Sequence, residues 1–332
     1  MSGMRIAISG ASGLIGSRLR GAFESEGDEV LRLVRHHSDD AGEVFWDPAT
    51  GEIEGERLEG LDVVIHLAGK PLDEQRWNDE VKRAVWASRI DGTALLCTTL
   101  ATLQRPPRVL ISASATDYYA ASAAPIGESD GRPGTGFVSE MCRAWEQATE
   151  PARAAGIRVV TIRIPSVLGG SGHSIDGALQ PLCRRGLGPV FGSGRQLVCF
   201  ISCDDLVRAV QHIMADDRLE GPVNVIAPAP VTFKTLVRTL SGILGRRTYV
   251  RVPGVVLRLI MGEVAGEFLE GDANLRPERL EASGFRHLYP DVEAALRHEL
   301  RLSPTEATAE LTLRPPSCPS PSRRTTRSAP ER

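Results

Sequence analysis

The chain has 332 residues, 42% of them hydrophobic and 24% charged, enough apolar mass for a sizeable core in one large α/β domain or two modest ones. A formal net charge of -3 leaves no basic excess to neutralise a phosphate backbone, so nucleic acid is not an expected partner. No apolar run approaches the roughly 20 residues of a membrane span, and the start, MSGMRIAISG, lacks the pattern of a secretory signal, so the expected location is cytoplasmic.

Strand and helix patterns alternate through the first half. Arg5–Ser9 reads as a strand, Leu14–Gly27 as a helix stopped by Gly27, and Glu29–Val34 as a second strand. Val44–Trp46 and Glu52–Ile53 flank turn signals and read as a small ribbon. Asp62–His66 is a strand, Asn78–Leu103 a long helix with Asn78 as its cap, and Val109–Ser112 a strand. Phe137–Ala155 reads as one helix ended by Gly156, and Val159–Ile164 as another strand. This alternation predicts a Rossmann-type, doubly wound parallel sheet over residues 4–169.

Beyond Gly169 the pattern loosens. Gly170–Gly194 reads as a glycine-rich loop with a helix fragment. Asp204–Met214 and Phe233–Leu244 are helical, Val223–Ile226 and Tyr249–Val252 are strands, and Val255 to about Leu300 is helical. Residues 170–302 therefore form a mixed region that returns strands to the sheet and builds a smaller α/β lobe on the substrate side. Residues 303–332 carry six prolines among serines, threonines and arginines, and the composition predicts a disordered tail.

The chemistry begins at Gly10-Ala11-Ser12-Gly13-Leu14-Ile15-Gly16, between the first strand and first helix. Gly10 permits a tight turn, Gly13 lets the backbone approach a pyrophosphate, and Gly16 lets helix and strand pack closely. The second strand ends in Val34-Arg35. A carboxylate there would bind the ribose 2′-hydroxyl of NAD, whereas the Arg35 guanidinium suits a 2′-phosphate, so the expected cofactor is NADP. His66-Leu67-Ala68-Gly69 closes the third strand with small residues that leave room for a dinucleotide. The six cysteines and seven histidines are scattered without ligand spacing, and no metal site is expected.

GASGLIG, the strand-end arginine and HLAG resemble an extended or atypical short-chain dehydrogenase/reductase. More closely, the chain is similar to the epimerase-family subgroup that includes the family 39U proteins. The similarity runs through WDPATG at 46–51, RWNDEVKRAVWASRIDGT at 76–93, WEQA at 145–148, GSGRQ at 192–196, DDLVRA at 204–209 and NVIAPAPVT at 224–232. It continues through GEVAGEFLEGDANLRPERLEASGF at 262–285 and YPDVEAAL at 289–296. It spans about residues 4–300 and implies cofactor contacts at Gly10, Ser12, Gly13, Leu14, Ile15, Val34, Arg35, Leu67, Ala68 and Arg89. Gly16 and Gly69 join that set from the motifs. The resemblance also places Val167, in a strand-end loop, near the nicotinamide.

Typical short-chain reductases use a serine and a Tyr-x-x-x-Lys pair, in which the lysine tunes the phenol for proton transfer. Ile111–Thr116 resembles the serine segment, with Ser114 in the catalytic place. The pair is missing: aligned on Glu146, Val138 and Cys142 stand where the tyrosine and lysine belong. Tyr118 is the candidate proton donor, and Ser114 the group that orients and polarises a substrate oxygen. Phe200-Ile201-Ser202 replaces a Trp-Ile-His that the subgroup tends to carry, and Asp117 stands where a glycine is usual. Two readings follow. One is an NADP-dependent oxidoreductase or epimerase acting on a small polar metabolite. The other is an NADP-binding sensor or partner protein without turnover.

Overall fold

The computed structural model describes residues 3–72, 76–169, 174–246, 249–262, 266 and 273–301. The predicted tail at 303–332 and the loop residues 170–173 lie outside the described residues.

Eight strands form the central sheet. In chain order these are β1 (Arg5–Ser9), β2 (Glu29–Val34), β3 (Glu43–Asp47), β4 (Glu52–Ile53), β5 (Val63–His66), β6 (Val109–Ala115), β8 (Arg158–Ile164) and β13 (Gly221–Asn224). Between and after them lie β7 (Ser122–Ile126), β9 (Ser166–Leu168), β10 (Gly188–Phe191), β11 (Leu197–Val198) and β12 (Phe200–Ser202). The last strands are β14 (Val231–Thr232), β15 (Tyr249–Val252) and β16 (Ala273–Leu275). The sheet order is β13-β8-β6-β5-β1-β2-β3-β4, parallel throughout except for the β3–β4 ribbon. The order reverses at β1, which pairs with β2 on one side and β5 on the other. Open α/β sheets leave a crevice at such a point, at the carboxyl ends of the strands.

Successive side chains of each strand face opposite sides. Ile6, Ile8, Val63, Ile65, Val109, Ile111, Val160 and Ile162 pack on one face with Leu19 and Phe23 of α1 (Leu14–Glu26) and Leu206, Val210 and Ile213 of α6 (Cys203–Ala215). The intervening Ala7, Val64, Leu110 and Val159 pack on the other, with Leu96 and Leu100 of α2 (Asp79–Thr102) and Ala152 of α4 (Glu150–Ala154). Each fully buried Leu, Ile or Phe contributes about 1.5–3 kcal/mol. Gly27 ends α1 at φ 87°, and the Asn78 side chain caps α2 by accepting the Val81 N–H at 2.8 Å, as both residue types predict.

Several elements depart from expectation. The helix expected over 137–155 is two: α3 (Phe137–Gln147) and α4. Pro151, in the first turn of α4, has no N–H to donate to the carbonyl four residues back, so a continuous helix would lose that bond. β6 runs on to Ala115, so Ser114 lies inside the strand, opposite Arg163 of β8, and not two residues beyond it. β7 and its parallel pairing with β16 were not expected, nor was β10, which pairs with β15. The run from Val255 is interrupted: α8 (Gly254–Met261), β16, α9 (Glu278–Ala282) and α10 (Val292–Arg301) replace one helical stretch.

The second lobe has its own core. Leu179 and Cys183 of α5 (Ile175–Arg184), Phe233, Leu236 and Leu240 of α7 (Phe233–Ile243) and Ala295 and Leu296 of α10 pack around Phe200. Among the described residues, no helix is long and apolar enough to cross a membrane.

Candidate active site

The glycine loop lies against the segment after β5. Gly10 has φ 70°, and a Cβ there would stand 3.1 Å from the backbone of Leu67 and Ala68. A Cβ on Gly16 would meet the Gly10 carbonyl oxygen at 2.2 Å, so only glycine lets α1 approach β1 this closely. Gly13 differs: a Cβ there would touch only the Gly10 oxygen, at 3.4 Å, and the rest of its surroundings is open. Gly13 is also the N-cap of α1. It offers no side-chain cap, and the first turn holds no acid, so the free N–H groups and positive dipole end face outward. This chemistry suits an anion.

Register places the other candidates along the same edge. Leu33 pairs with Ser9, which sets Val34 and Arg35 beside the glycine loop. Arg35 is exposed and has no hydrogen bond or ion pair among the described residues. Its neighbours are occupied: Arg32 bonds Asp40 and Glu43, His36 lies 3.3 Å from Glu43, and His37 stacks on Phe45. Ser12 and Gly13 are exposed, while Ile15, Leu67 and Val167 pack partly buried on one apolar cluster. A Cβ on Gly69 would lie 3.2 Å from the Arg89 guanidinium carbon, so Gly69 makes room for that side chain. Arg89 is 8% exposed and donates from Nη1 to the Lys70 carbonyl at 2.8 Å. Its guanidinium carbon lies 5.1 Å from the centre of the Trp145 ring, and its Nε has no hydrogen-bond partner among the described residues. Burial lowers its pKa, and no carboxylate among the described residues forms an ion pair with it.

His66 serves the frame of the site. Ser9 Oγ accepts the N–H groups of Leu67 and Ala68, both at 3.1 Å, so its own proton goes to His66 Nδ1, 2.7 Å away. That leaves the Nε2–H tautomer, which donates to Thr93 Oγ1 at 3.0 Å. Burial lowers the His66 pKa to about 4, so the ring is neutral.

Ser114, the sequence's catalytic candidate, is 3% exposed and donates to Glu146 Oε1 at 2.7 Å. Glu146 grips Arg163 through two bonds, Nε to Oε1 at 2.8 Å and Nη2 to Oε2 at 2.9 Å. Arg163 Nη1 donates to the Tyr119 hydroxyl at 2.7 Å, and Tyr119 donates to Asn224 Oδ1 at 2.8 Å. Burial works against the Arg163 charge, but the bonds to Glu146 and Tyr119 more than offset it and raise its pKa. Burial pushes the Tyr119 phenol up to about 12. Tyr119 is therefore a neutral structural link.

Tyr118 is placed differently. Its ring stacks on the Arg163 guanidinium, 3.6 Å away, and its hydroxyl has no hydrogen-bond partner among the described residues. Asp117 is exposed to solvent, and desolvation by the nearby protein raises its carboxyl pKa. Val138 and Cys142 are buried against Val81, Val85 and Met141, and burial raises the Cys142 thiol pKa. The places of the missing pair are thus apolar. Ser202 caps α6 by accepting the Asp205 N–H at 3.1 Å. The hydrogen-bonded chain Glu146–Arg163–Tyr119–Asn224 was not read from the sequence. One signal was present: a lone arginine in the apolar strand Val159–Ile164.

The parallel sheet, its switch point and the uncapped glycine-loop helix define a dinucleotide-type Rossmann architecture. Over residues 6–226 the chain matches, and belongs to, the NAD dependent epimerase/dehydratase family. Residues 252–299 match a domain of unknown function, DUF1731. The chain is 36% identical to an epimerase family protein of Mycobacterium tuberculosis over 296 residues, covering 89% of this chain and 97% of that protein. It is 30% identical to human epimerase family protein SDR39U1 over 301 residues, covering 89% of this chain and 99% of that protein. The crystal structure of human SDR39U1 isoform 2 with NADPH superposes with a TM-score of 0.81 at 29% identity, over 90% of this chain and 99% of that one. A nucleoside-diphosphate sugar epimerase from Corynebacterium glutamicum superposes at 0.74 with 31% identity, over 95% of this chain and 63% of that one.

Proposed function

We propose that this protein binds NADPH at the carboxyl edge between β1 and β5 and is an oxidoreductase or epimerase acting on a small polar metabolite. The observation that carries the reading is Arg35, exposed and unpaired among the described residues at the end of β2, beside the uncapped N-terminus of α1. The human relative solved with NADPH supports it. Gly10, Ser12, Gly13, Leu14, Ile15 and Gly16 would hold the pyrophosphate side, Val34 and Arg35 the 2′-phosphorylated ribose, and Leu67, Ala68, Gly69 and Arg89 the adjoining groove. Val167 would flank the nicotinamide.

When bound, NADPH supplies a hydride to an electrophilic carbon. The chain's own part is to hold a substrate oxygen and handle its proton. Ser114 commits its proton to Glu146, so in this reading it presents its lone pairs to a substrate hydroxyl or a bound water. Tyr118, whose hydroxyl has no partner among the described residues, donates the proton. The alternative of an NADP-binding sensor without turnover draws on Val138 and Cys142, which have no proton-transfer chemistry to replace the Tyr–Lys pair.

Calorimetry tests the cofactor. NADPH should bind at least tenfold tighter than NADH, a gap of about 1.4 kcal/mol, and Arg35→Asp should remove that gap. Equal affinities in the unmodified protein would sink the assignment. A metabolite screen that follows NADPH absorbance separates enzyme from sensor. With a substrate in hand, Ser114→Ala and Tyr118→Phe should each cut turnover strongly and leave NADPH affinity unchanged.

A further inference from the structure

Four charged or titratable side chains that are not among the residues assigned to cofactor and substrate join three helices. They are Arg18 of α1, Asp204 of α6, and His298 and Glu299 of α10. His298 Nε2 lies 2.7 Å from Asp204 Oδ2, and its Nδ1 lies 2.9 Å from the Tyr289 hydroxyl, with the two rings stacked. Arg18 Nη1 stands 3.9 Å from Asp204 Oδ1. Glu299 is 1% exposed, and its Oε1 accepts the N–H of Cys203, the first residue of α6, at 2.9 Å. Its Oε2 is buried with no hydrogen-bond partner among the described residues. Donor atoms of Asp204, His298 and Glu299 lie within 4.8 Å of one another.

The cluster sets one fixed positive charge, Arg18, against the half-buried Asp204 carboxylate and the buried Glu299 carboxyl. An ionised Glu299 leaves Oε2 as an acceptor with nothing to accept, beside a second negative charge. A proton on Oε2 removes that charge. A metal ion fits less well: Asp204 and His298 already touch each other, and Arg18 adds positive charge.

We propose that this cluster is a proton-dependent latch that docks α10 onto α6 and α1, closed when Glu299 is protonated and loosened when it ionises. Burial, and after it the Asp204 charge, raises the Glu299 pKa from an ordinary 4.5 to about 7, in keeping with that geometry. The other groups facing Glu299 are Arg18 of α1, the Cys203 thiol of α6 and His298 on its own helix. β9 and β12, which also pack on α10, carry no ionisable side chain. On α7, also packed there, Lys234 and Arg238 lie over the Tyr249 ring. Because the docked state binds the proton more tightly than the open one, docking is strongest below about pH 4.5 and weakens as the pH rises through 7. The latch ties the C-terminal region to α1, the helix that the glycine loop opens.

Hydrogen exchange on the full chain, corrected for intrinsic rates, tests this. Between pH 6 and 8 the amides of residues 292–301 should lose about tenfold in protection relative to those of α1, the change expected when a carboxyl with these two pKa values governs docking. Glu299→Gln, fixed in the uncharged form, should keep its protection across that range and melt higher than the unmodified protein at pH 8. Asp204→Asn removes the neighbouring charge and should move the midpoint of the loss to lower pH. Identical pH dependence in the unmodified protein and Glu299→Gln would overturn the latch, as would an unmoved midpoint in Asp204→Asn. Recovery of protection at pH 8 on adding zinc chloride, absent in Glu299→Gln, would overturn it in favour of a metal site.

Discussion

Gly13 and Gly16 stand three residues apart on one turn and have different tasks. A methyl group on Gly16 would collide with the Gly10 oxygen and with Ala11 Cα, both backbone, so the strand–helix contact must open. Gly16→Ala should cost about 1–3 kcal/mol of stability. Gly13 has φ -73°, a conformation alanine adopts, and the added methyl meets one atom at ordinary contact distance. Gly13→Ala should therefore keep its melting temperature while losing at least tenfold in NADPH affinity, read by thermal unfolding and calorimetry side by side. Equal stability losses in both variants would show that Gly13 is merely a packing residue. At this scale the sequence was most legible, because a glycine's backbone task follows from its place in a strand–turn–helix motif. Ser114 was half legible: its type was expected, but its partner Glu146 lies 32 residues away.

Elements carry what single residues do not. Register sets Ser114, Arg163 and Asn224 side by side on β6, β8 and β13, and α3 lowers Glu146 onto the first two. Arg163 is 3% exposed, and removing one partner of a buried pair leaves the other charge uncompensated. Arg163→Met should cost about 3–5 kcal/mol in chemical denaturation, because Glu146 loses both bonds from the guanidinium and keeps only the one from Ser114. A loss under about 1 kcal/mol would mean that water reaches Glu146 and replaces the guanidinium. The outer edge of β13 is closed in a similar way. Arg279 of α9 donates to the carbonyls of Glu220 and Pro222, and Glu128 accepts the Asn224 N–H at 2.9 Å. Side chains from two distant segments thus stand in for a missing strand and cover an edge that would otherwise invite pairing. Helices with one apolar stripe and strands with alternating faces were readable from local pattern. β7, β10 and β16 were not, because SAAPI, GPVF and ANL are short and take their shape from the partner strand.

On the scale of the whole molecule, two lobes with separate cores share the sheet edge where the candidate site lies. The last thirty residues have no hydrophobic period with which to join either core. A chain ending after Leu302 should keep its melting temperature and its NADPH affinity, and a large loss of either would show that residues 303–332 dock. By itself the sequence determined the Rossmann alternation, the glycine loop, Arg35 in place of a carboxylate and the absence of a Tyr–Lys pair. Each of these is a local fact: periodicity and motif spacing operate within about one strand–helix unit. The tertiary structure decided which hydroxyl is committed, the pairing of Glu146 with Arg163, the closing of β13 and the burial of Glu299. Those depend on contacts between residues far apart in the chain, made in a low-dielectric interior where each polar group must find a partner, and no local pattern encodes which partner that is.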